Sequence, residues 1–244
     1  MIRYILVVIT VISFLIFTLP ILLIEWIIDK FNPSLSDRSS LFCVQCVFRM
    51  CLWIAGTKVS TIGLERVPQD TPVLYIGNHR SYFDILLTYV RVSRPTGYIS
   101  KLEMDRWPIL NLWMRRLHCL FLDRNDLRQG LKVILTSIEK VKSGISICVF
   151  PEGTRCSEPD AFLPFHNGSF RIAEKANCPI VPICINNANA IFEDQYPRIK
   201  PVHVIIEYGE PIYLNQLDDY NRKHVGDYTC NLIKEMYATN KALI

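Results

Sequence analysis

From Thr57 onward, the sequence alternates between short apolar segments typical of strands and longer segments with the periodicity of amphipathic helices. The predicted strands are 58–62, 72–76, 96–100, 119–122, 145–150, 180–185 and 202–208. The predicted helices are 81–92, 106–117, 126–142, 168–177 and 218–238. This alternation predicts an α/β fold with a mostly parallel sheet flanked by helices.

The beginning of the chain has a different character. Hydrophobic residues make up 50% of the 244 residues, and much of the excess lies in about the first 55. Residues 4–24 are almost continuously apolar and long enough to cross a bilayer, which needs about 20 residues. A secretory signal peptide is disfavoured because no cleavage site with small residues follows the apolar run.

A second helix is predicted over 36–55, where Gly56 ends the pattern. Its polar residues Arg38, Gln45 and Arg49 recur at spacings of seven and four, so they lie on one stripe. An arginine near the middle of a membrane span costs about 2.5–3.5 kcal/mol. The pattern therefore favours an amphipathic helix that lies in the membrane interface.

Charge and orientation complete this picture. Arg3 and the amino terminus are expected on the cytoplasmic side, and a hairpin that enters and leaves one leaflet keeps the rest of the chain there. We therefore predict a membrane-associated helical hairpin over 1–56 and an α/β domain over 57–244, with its site on the cytoplasmic face.

Composition excludes several classes of function. The net charge of +4 is too small to indicate a nucleic-acid-binding protein, although it suits an anionic membrane surface. The nine cysteines show no disulfide framework, which is typical of reduced, intracellular proteins. The five histidines show no metal-ligand spacing, so we predict no metal site.

The stretch GNHRSYFD, residues 77–84, follows a predicted strand and opens a predicted helix. Asp84 lies five positions after His79, where its carboxylate can hold one ring nitrogen and leave the other free to accept a proton. A second interpretation is a capping box, in which Ser81 begins the helix and Asp84 stabilises its first turn. The stretch alone leaves both interpretations open.

Further polar residues follow other predicted strands. The turn FPEGTR contains Glu152, Gly153 and Arg155; its glycine permits close approach of a ligand, and its arginine suits a phosphate. Lys101 and Arg124 each follow a strand as well. Because parallel strands deliver their carboxyl ends to one edge of a sheet, these groups and the His79 turn are expected to converge there.

Taken in order, these segments resemble the 1-acylglycerol-3-phosphate acyltransferase family. Its four motifs are similar to NHRSYFD, FLDR, FPEGTR and PIVPI, and the resemblance spans about residues 57–210. The sequence departs from the family at Arg80, where Gln is common, at His118, often Gly, and at Cys156, usually Ser. The change at Arg80 suggests an altered preference for the acceptor head group.

The resemblance implies transfer of an acyl chain from a thioester to the free sn-2 hydroxyl of lysophosphatidate in phospholipid biosynthesis. Acyl-CoA or acyl carrier protein would be a co-substrate, and no cofactor is implied. His79 would be the general base and Asp84 would orient it. The other implied site residues are those for phosphate and glycerol, Arg155, Arg124, Lys101, Glu152 and Gly153, and those supporting the turn, Asn78 and Ser81.

Three alternatives stay open at this level. A hydrolase would release free fatty acid without an acceptor. The acceptor could be another lysophospholipid or glycerol-3-phosphate. A non-catalytic membrane lipid-binding protein would share the fold, although it would have no need to retain the His79–Asp84 pair. Expected partners are membrane lipids, the acceptor and the thioester donor, with no nucleic acid.

Overall fold

A seven-stranded sheet, mostly parallel, forms the centre of the molecule in the computed structural model, which describes all 244 residues. The strands are β1 Lys58–Ile62, β2 Leu74–Gly77, β3 Thr96–Lys101, β4 Leu120–Leu122, β5 Ser146–Val149, β6 Ile180–Asn186 and β7 His203–Tyr208. Their order is β1-β7-β6-β2-β5-β3-β4, and only the β6–β7 pair is antiparallel. The predicted α/β class with a mostly parallel sheet is confirmed.

Helices cover both faces of this sheet. They are α1 Ile2–Phe17, α2 Leu19–Phe31, α3 Pro33–Ala55, α4 Phe83–Tyr89, α5 Leu110–Arg116, α6 Leu127–Lys142, α7 Arg171–Ala176, α8 Asp219–Lys223 and α9 Val225–Lys241. The predicted carboxyl-terminal helix is interrupted at His224, and its second part continues to Lys241.

The sheet separates two hydrophobic clusters, and β2 contributes to both. Tyr75 packs with residues of α3, α4 and α5 on one face, whereas Leu74 and Ile76 pack with residues of α6, α7 and α9 on the other. Successive side chains of a strand point to opposite faces, which explains the division. A strand buried on both faces provides a rigid base for the turn that follows it.

The first apolar segment is bent. α1 and α2 meet at an angle of 51°, with Thr18 between them and Pro20 in the first turn of α2. Proline disrupts a continuing helix because it lacks an N–H and its ring crowds the preceding turn. The bend lies inside the run 4–24, which therefore does not form one straight helix.

Two of the three residues in the polar stripe of α3 contact the end of α4. Gln45 donates hydrogen bonds to the carbonyl oxygens of Tyr89 and Val92, and Arg49 donates to that of Val90. These carbonyls belong to the end of α4 and the residues after it, where helical partners are lacking. Gln45 is therefore buried against α4, whereas Arg38 and Arg49 are exposed, and the interfacial position of this helix stays a prediction.

The opposite surfaces of the amino-terminal helices are exposed and apolar. The exposed large residues include Ile5, Ile9, Ile12 and Ile16 of α1 and Leu35, Phe42, Met50 and Trp53 of α3. Only α3 is by itself long and apolar enough to cross a bilayer, and the bent pair α1–α2 would be a second such segment if taken as one span. The division into units 1–56 and 57–244 stays a prediction. Residues of α3 and of the sheet belong to the same hydrophobic cluster.

A polar clasp joins these helices to α5. Arg116 of α5 donates hydrogen bonds to the carbonyl oxygen of Glu25 and the hydroxyl of Ser36, and lies 3.3 Å from Asp29. The buried Glu25 carboxylate in turn accepts hydrogen bonds from Ser36 and Ser39. The clasp therefore satisfies a buried charge and ties α2 and α3 to the body of the protein.

Candidate active site

The turn after β2 is held to the neighbouring strand by Asn78. Its buried side-chain amide donates to the carbonyl oxygen of Ile185 in β6, and its amide oxygen accepts from the N–H of the same residue. The side chain thus continues the ladder of hydrogen bonds beyond the end of β2. This arrangement fixes the point at which the chain leaves the sheet and presents His79.

His79 and Asp84 form a hydrogen bond. Nδ1 of His79 lies 2.9 Å from Oδ2 of Asp84, and because a carboxylate only accepts, Nδ1 carries the proton. The same oxygen accepts from the backbone N–H groups of Arg80, at 2.7 Å, and Ser81, at 2.8 Å. Asp84 therefore stabilises the start of α4 and orients the imidazole, so the two interpretations of this residue are compatible.

The chemistry available at His79 follows from its surroundings. Its Nε2 has no hydrogen-bond partner in the protein, and its side chain is 19% exposed, whereas that of Asp84 is 1% exposed. An imidazole fixed in this tautomer can accept a proton at Nε2 while the carboxylate stabilises the resulting positive charge. The pair has the geometry of a general base and its orienting acid.

The ring of Phe150 packs against the imidazole ring of His79. The rings of His79 and Phe150 stack with centroids 4.5 Å apart and an angle of 16° between their planes. The space for this ring depends on Gly77, since a Cβ there would lie 3.1 Å from Phe150 Cε1. The stack restrains the imidazole plane, which the hydrogen bond to Asp84 alone would leave free to tilt.

Glu152 is a structural anchor of the turn. Its buried carboxylate accepts hydrogen bonds from the N–H of His79, at 2.8 Å, and of Leu163, at 2.9 Å. Burial raises the pKa of Glu152, and the two N–H donors partly oppose that shift. Glu152 therefore joins the turn after β5 to the His79 turn and to the loop that contains Leu163.

The raised pKa of Glu152 predicts a pH dependence of stability. The folded state binds the Glu152 proton more tightly than the unfolded state, so this group's contribution to the free energy of unfolding is largest below its usual pKa and falls as pH rises through the raised value. In Glu152→Gln this component is absent. Denaturant unfolding from about pH 4 to about pH 7 should show the wild type losing stability relative to the variant; parallel curves would contradict the argument.

Arg155 lies beside the start of α4. Its Nη1 lies 3.1 Å from Oε1 of Glu193, and its guanidinium stacks over the ring of Tyr82 at 3.7 Å. Glu193 also accepts hydrogen bonds from the Ser81 hydroxyl and the Tyr82 N–H. Arg155 and the His79 turn are therefore connected through one carboxylate.

The turn that precedes Arg155 exposes backbone donors. Gly153 has a φ of 71°, a left-handed conformation that glycine adopts without strain. The N–H groups of Thr154 and Arg155 have no acceptor within the protein. Successive free N–H groups after a left-handed residue form a concave site that suits an anion.

Arg80 is buried against the loop that follows FPEGTR. The side chain is 5% exposed and donates to the carbonyl oxygens of Glu158 and Ala161. Its guanidinium also lies 5.9 Å and 5.5 Å from the ring centres of Phe162 and Tyr237. Arg80 therefore stabilises the loop after FPEGTR, and the suggestion that it reads the acceptor head group has no support in the geometry.

Lys101 and Arg124 lie farther along the same edge of the sheet. Lys101 ends β3 and Arg124 follows β4, so they are two and three strand positions from β2. At about 4.8 Å per strand, these positions are roughly 10 and 14 Å from the His79 turn. Both residues are exposed. Desolvation of the guanidinium lowers the pKa of Arg124, and nearby Glu103 opposes that shift. The structure thus brings Arg155, but neither of these cations, next to the His79–Asp84 pair.

A family model described as acyltransferase matches residues 58–186, which is more than half of the chain and includes the whole His79 turn and FPEGTR. The chain belongs to the acyltransferase family. The predicted family resemblance and the predicted enzyme class are thereby confirmed.

Curated relatives of this acyltransferase carry a more specific name. The 1-acyl-sn-glycerol-3-phosphate acyltransferase of Borreliella burgdorferi is 27% identical over 77% of this chain and 75% of its own length. A probable enzyme of the same name from Mycoplasma pneumoniae is 29% identical over 81% of this chain and 77% of its own. The Saccharomyces cerevisiae enzyme is 26% identical, with coverages of 82% and 65%.

A solved structure shares the fold of this acyltransferase. The crystal structure of the 1-acyl-sn-glycerophosphate acyltransferase PlsC from Thermotoga maritima superposes with a TM-score of 0.81, covering 99% of this chain and 98% of that one. The sequence identity is 22%. The match therefore extends to the amino-terminal helices as well as the sheet.

Two contacts of this acyltransferase were not predicted from its sequence. Glu193 lies in the connection between β6 and β7, outside every motif, and no local pattern links it to Ser81 or Arg155. Phe150 belongs to FPEGTR, but the sequence gives no sign that its ring stacks on His79.

Proposed function

We propose that this acyltransferase transfers an acyl chain from a thioester donor to the free sn-2 hydroxyl of lysophosphatidate, giving phosphatidate. The observation that carries this proposal is the His79–Asp84 hydrogen bond of 2.9 Å, with Nε2 unpaired, beside a partly exposed arginine. The names of the curated relatives support lysophosphatidate as the acceptor.

The reaction needs a base because an alcohol is a weak nucleophile toward a thioester at neutral pH. Nε2 of His79 removes the hydroxyl proton as the oxygen attacks the carbonyl carbon, and Asp84 stabilises the imidazolium. The tetrahedral intermediate then breaks its carbon–sulfur bond. The departing thiolate takes the proton from His79, which leaves the ester, a free thiol and the neutral imidazole.

Arg155 is the proposed binding residue for the acceptor phosphate. Only one contact of its guanidinium with a protein acceptor is present, so other N–H groups can bind phosphate oxygens in the paired geometry that arginine favours. Thr154 and Arg155 add their backbone N–H groups, and Gly153 permits their approach. Lys101 and Arg124, predicted to bind the same phosphate, lie roughly 10 and 14 Å from the His79 turn and have no part in this proposal.

The amino-terminal helices explain how a lipid acceptor reaches this site. Their exposed apolar surfaces would embed in one leaflet, with the active site on the cytoplasmic face, so that a single-chain lipid enters without leaving the membrane. Membrane lipids would then bind the amino-terminal helices and would also be the source of the acceptor.

Arg155→Ala tests the phosphate assignment. We expect KM for lysophosphatidate to rise about tenfold or more because a charged, paired contact with the phosphate is lost. The KM of the thioester donor should change little. The measurement is steady-state kinetics with the purified protein, with product identified by mass.

The matched control is Arg222→Ala, since Arg222 is an exposed arginine of α8 paired with Asp219. It should behave as the wild type. The same assay with acyl-CoA or acyl carrier protein as donor, and with other lysophospholipids or glycerol-3-phosphate as acceptor, tests the substrate class. Higher kcat/KM for another acceptor would overturn the assignment, and thioester hydrolysis without an acceptor would indicate a hydrolase.

A further inference from the structure

Glu193 connects two parts of the site that are distant in the sequence. Its Oε2 accepts a hydrogen bond of 2.7 Å from the Ser81 hydroxyl, and its Oε1 accepts one of 2.8 Å from the Tyr82 N–H. The same Oε1 lies 3.1 Å from Nη1 of Arg155. No sequence motif includes this glutamate, and the mechanism described above does not use it.

We propose that Glu193 is a positioning residue that holds Arg155 beside the His79 turn in the orientation that receives the acceptor phosphate. The inference rests on the proposed phosphate-binding role of Arg155. It assigns to the β6–β7 connection a part in substrate recognition.

The two hydrogen bonds from the turn before α4 fix the position of the Glu193 carboxylate. They hold both carboxylate oxygens independently of Arg155, and the Glu193 side chain is 20% exposed. Arg155 is more exposed, at 33%, and a free arginine at such a site would occupy many rotamers. Contact with Glu193 on one side and Tyr82 below selects one orientation of the guanidinium.

The backbone that carries Glu193 is supported from the other side. Phe192 stacks on Tyr4 of α1, with ring centroids 5.5 Å apart and nearly parallel planes. The connection between β6 and β7 is therefore held between α1 and α4. This packing places the carboxylate without any contribution from a ligand.

A carboxylate beside a phosphate-binding arginine could instead mask it. The contacts favour positioning, because Glu193 approaches a single Nη atom and leaves the rest of the guanidinium without a protein acceptor. A phosphate can therefore bind Arg155 while Glu193 stays in place. The two roles predict opposite changes in acceptor affinity when the charge of Glu193 is removed.

Glu193→Gln is the direct test. The amide keeps the size of the side chain and one accepting oxygen, but it loses the negative charge that attracts the Arg155 guanidinium. We expect KM for lysophosphatidate to rise about tenfold, with kcat and the donor KM within about twofold of the wild type. A merely structural defect would lower kcat or the fraction of folded protein instead.

Asp194→Asn is the matched control. Asp194 is the next residue, is exposed, and accepts a hydrogen bond from Asn189 without contacting the site. This variant should retain the wild-type KM for both substrates. Thermal unfolding of both variants, compared with the wild type, verifies that each is folded.

The double variant Glu193→Gln, Arg155→Ala separates the inference from the proposed function. We expect it to match Arg155→Ala alone, because Glu193 acts through that arginine. If Arg155→Ala leaves the acceptor KM unchanged, the phosphate assignment and this inference both fail. If Arg155→Ala raises the acceptor KM but Glu193→Gln leaves it unchanged or lowers it, the positioning role is overturned and the proposed function stands. The same conclusion follows if the effects of the two substitutions on this KM multiply fully in the double variant.

Discussion

Replacing His79 with alanine is expected to lower kcat by roughly 10²–10⁴-fold, the usual contribution of a general base. The imidazole is the group whose free nitrogen can take the hydroxyl proton, and no other side chain bonded to Asp84 Oδ2 can replace it. Single-turnover rates with a thioester donor and lysophosphatidate provide the measurement. The fold should persist, since Asn78 and Glu152 hold the turn through contacts that do not involve the imidazole.

His224→Ala is the control for this experiment. His224 is exposed between α8 and α9 and lies 3.8 Å from Asp227, away from the sheet edge. Its loss should leave kcat unchanged. A His79→Ala enzyme with near-normal turnover would exclude the histidine as the base, whatever the geometry of the pair.

Asp84→Asn should also lower kcat by roughly 10²–10⁴-fold, although the side chain keeps its shape. The amide oxygen can replace Oδ2, which accepts all three hydrogen bonds, but a neutral amide cannot stabilise the imidazolium. The amide NH₂ would then occupy the position of Oδ1, which is buried without a partner. Besides the effect on kcat, we expect this unpaired donor to lower the free energy of unfolding by about 1–3 kcal/mol.

A double variant distinguishes catalysis from stability for Asp84. Because the carboxylate acts through the imidazole, adding Asp84→Asn to His79→Ala should reduce kcat little further. Asp219→Asn, at an exposed aspartate of α8, serves as the control and should match the wild type. If the effects of His79→Ala and Asp84→Asn multiplied fully, the orienting role would be wrong.

The sheet could be predicted closely because each strand carries its own signal. The run ISICVF is apolar throughout and becomes β5, buried on both faces. Helix ends were less predictable. Residues 106–117 appeared helical, but α5 begins only at Leu110, after Pro108 and a short 3-10 segment, because proline disfavours a helical conformation in the residue before it.

The site was predictable only where its contacts are local. His79 and Asp84 are five residues apart, so their spacing alone suggested a hydrogen bond. Ser81 and Glu193 are separated by 112 positions, and that contact depends on the packing of the β6–β7 connection between α1 and α4. The burial of Gln45 likewise depends on where α4 ends, which periodicity does not reveal.

The clasp made by Arg116 has a consequence for the proposed position of the enzyme in a bilayer. Since it joins α2 and α3 to α5, and α3 shares a core with the sheet, the helices proposed to face lipid and the layer that contains the His79 turn would move as one rigid body. In a protein embedded as proposed, the distance of His79 from the membrane surface would be fixed when the chain folds. A thicker or thinner bilayer would tilt the whole protein, and the imidazole would stay at the same distance from its anchoring helices.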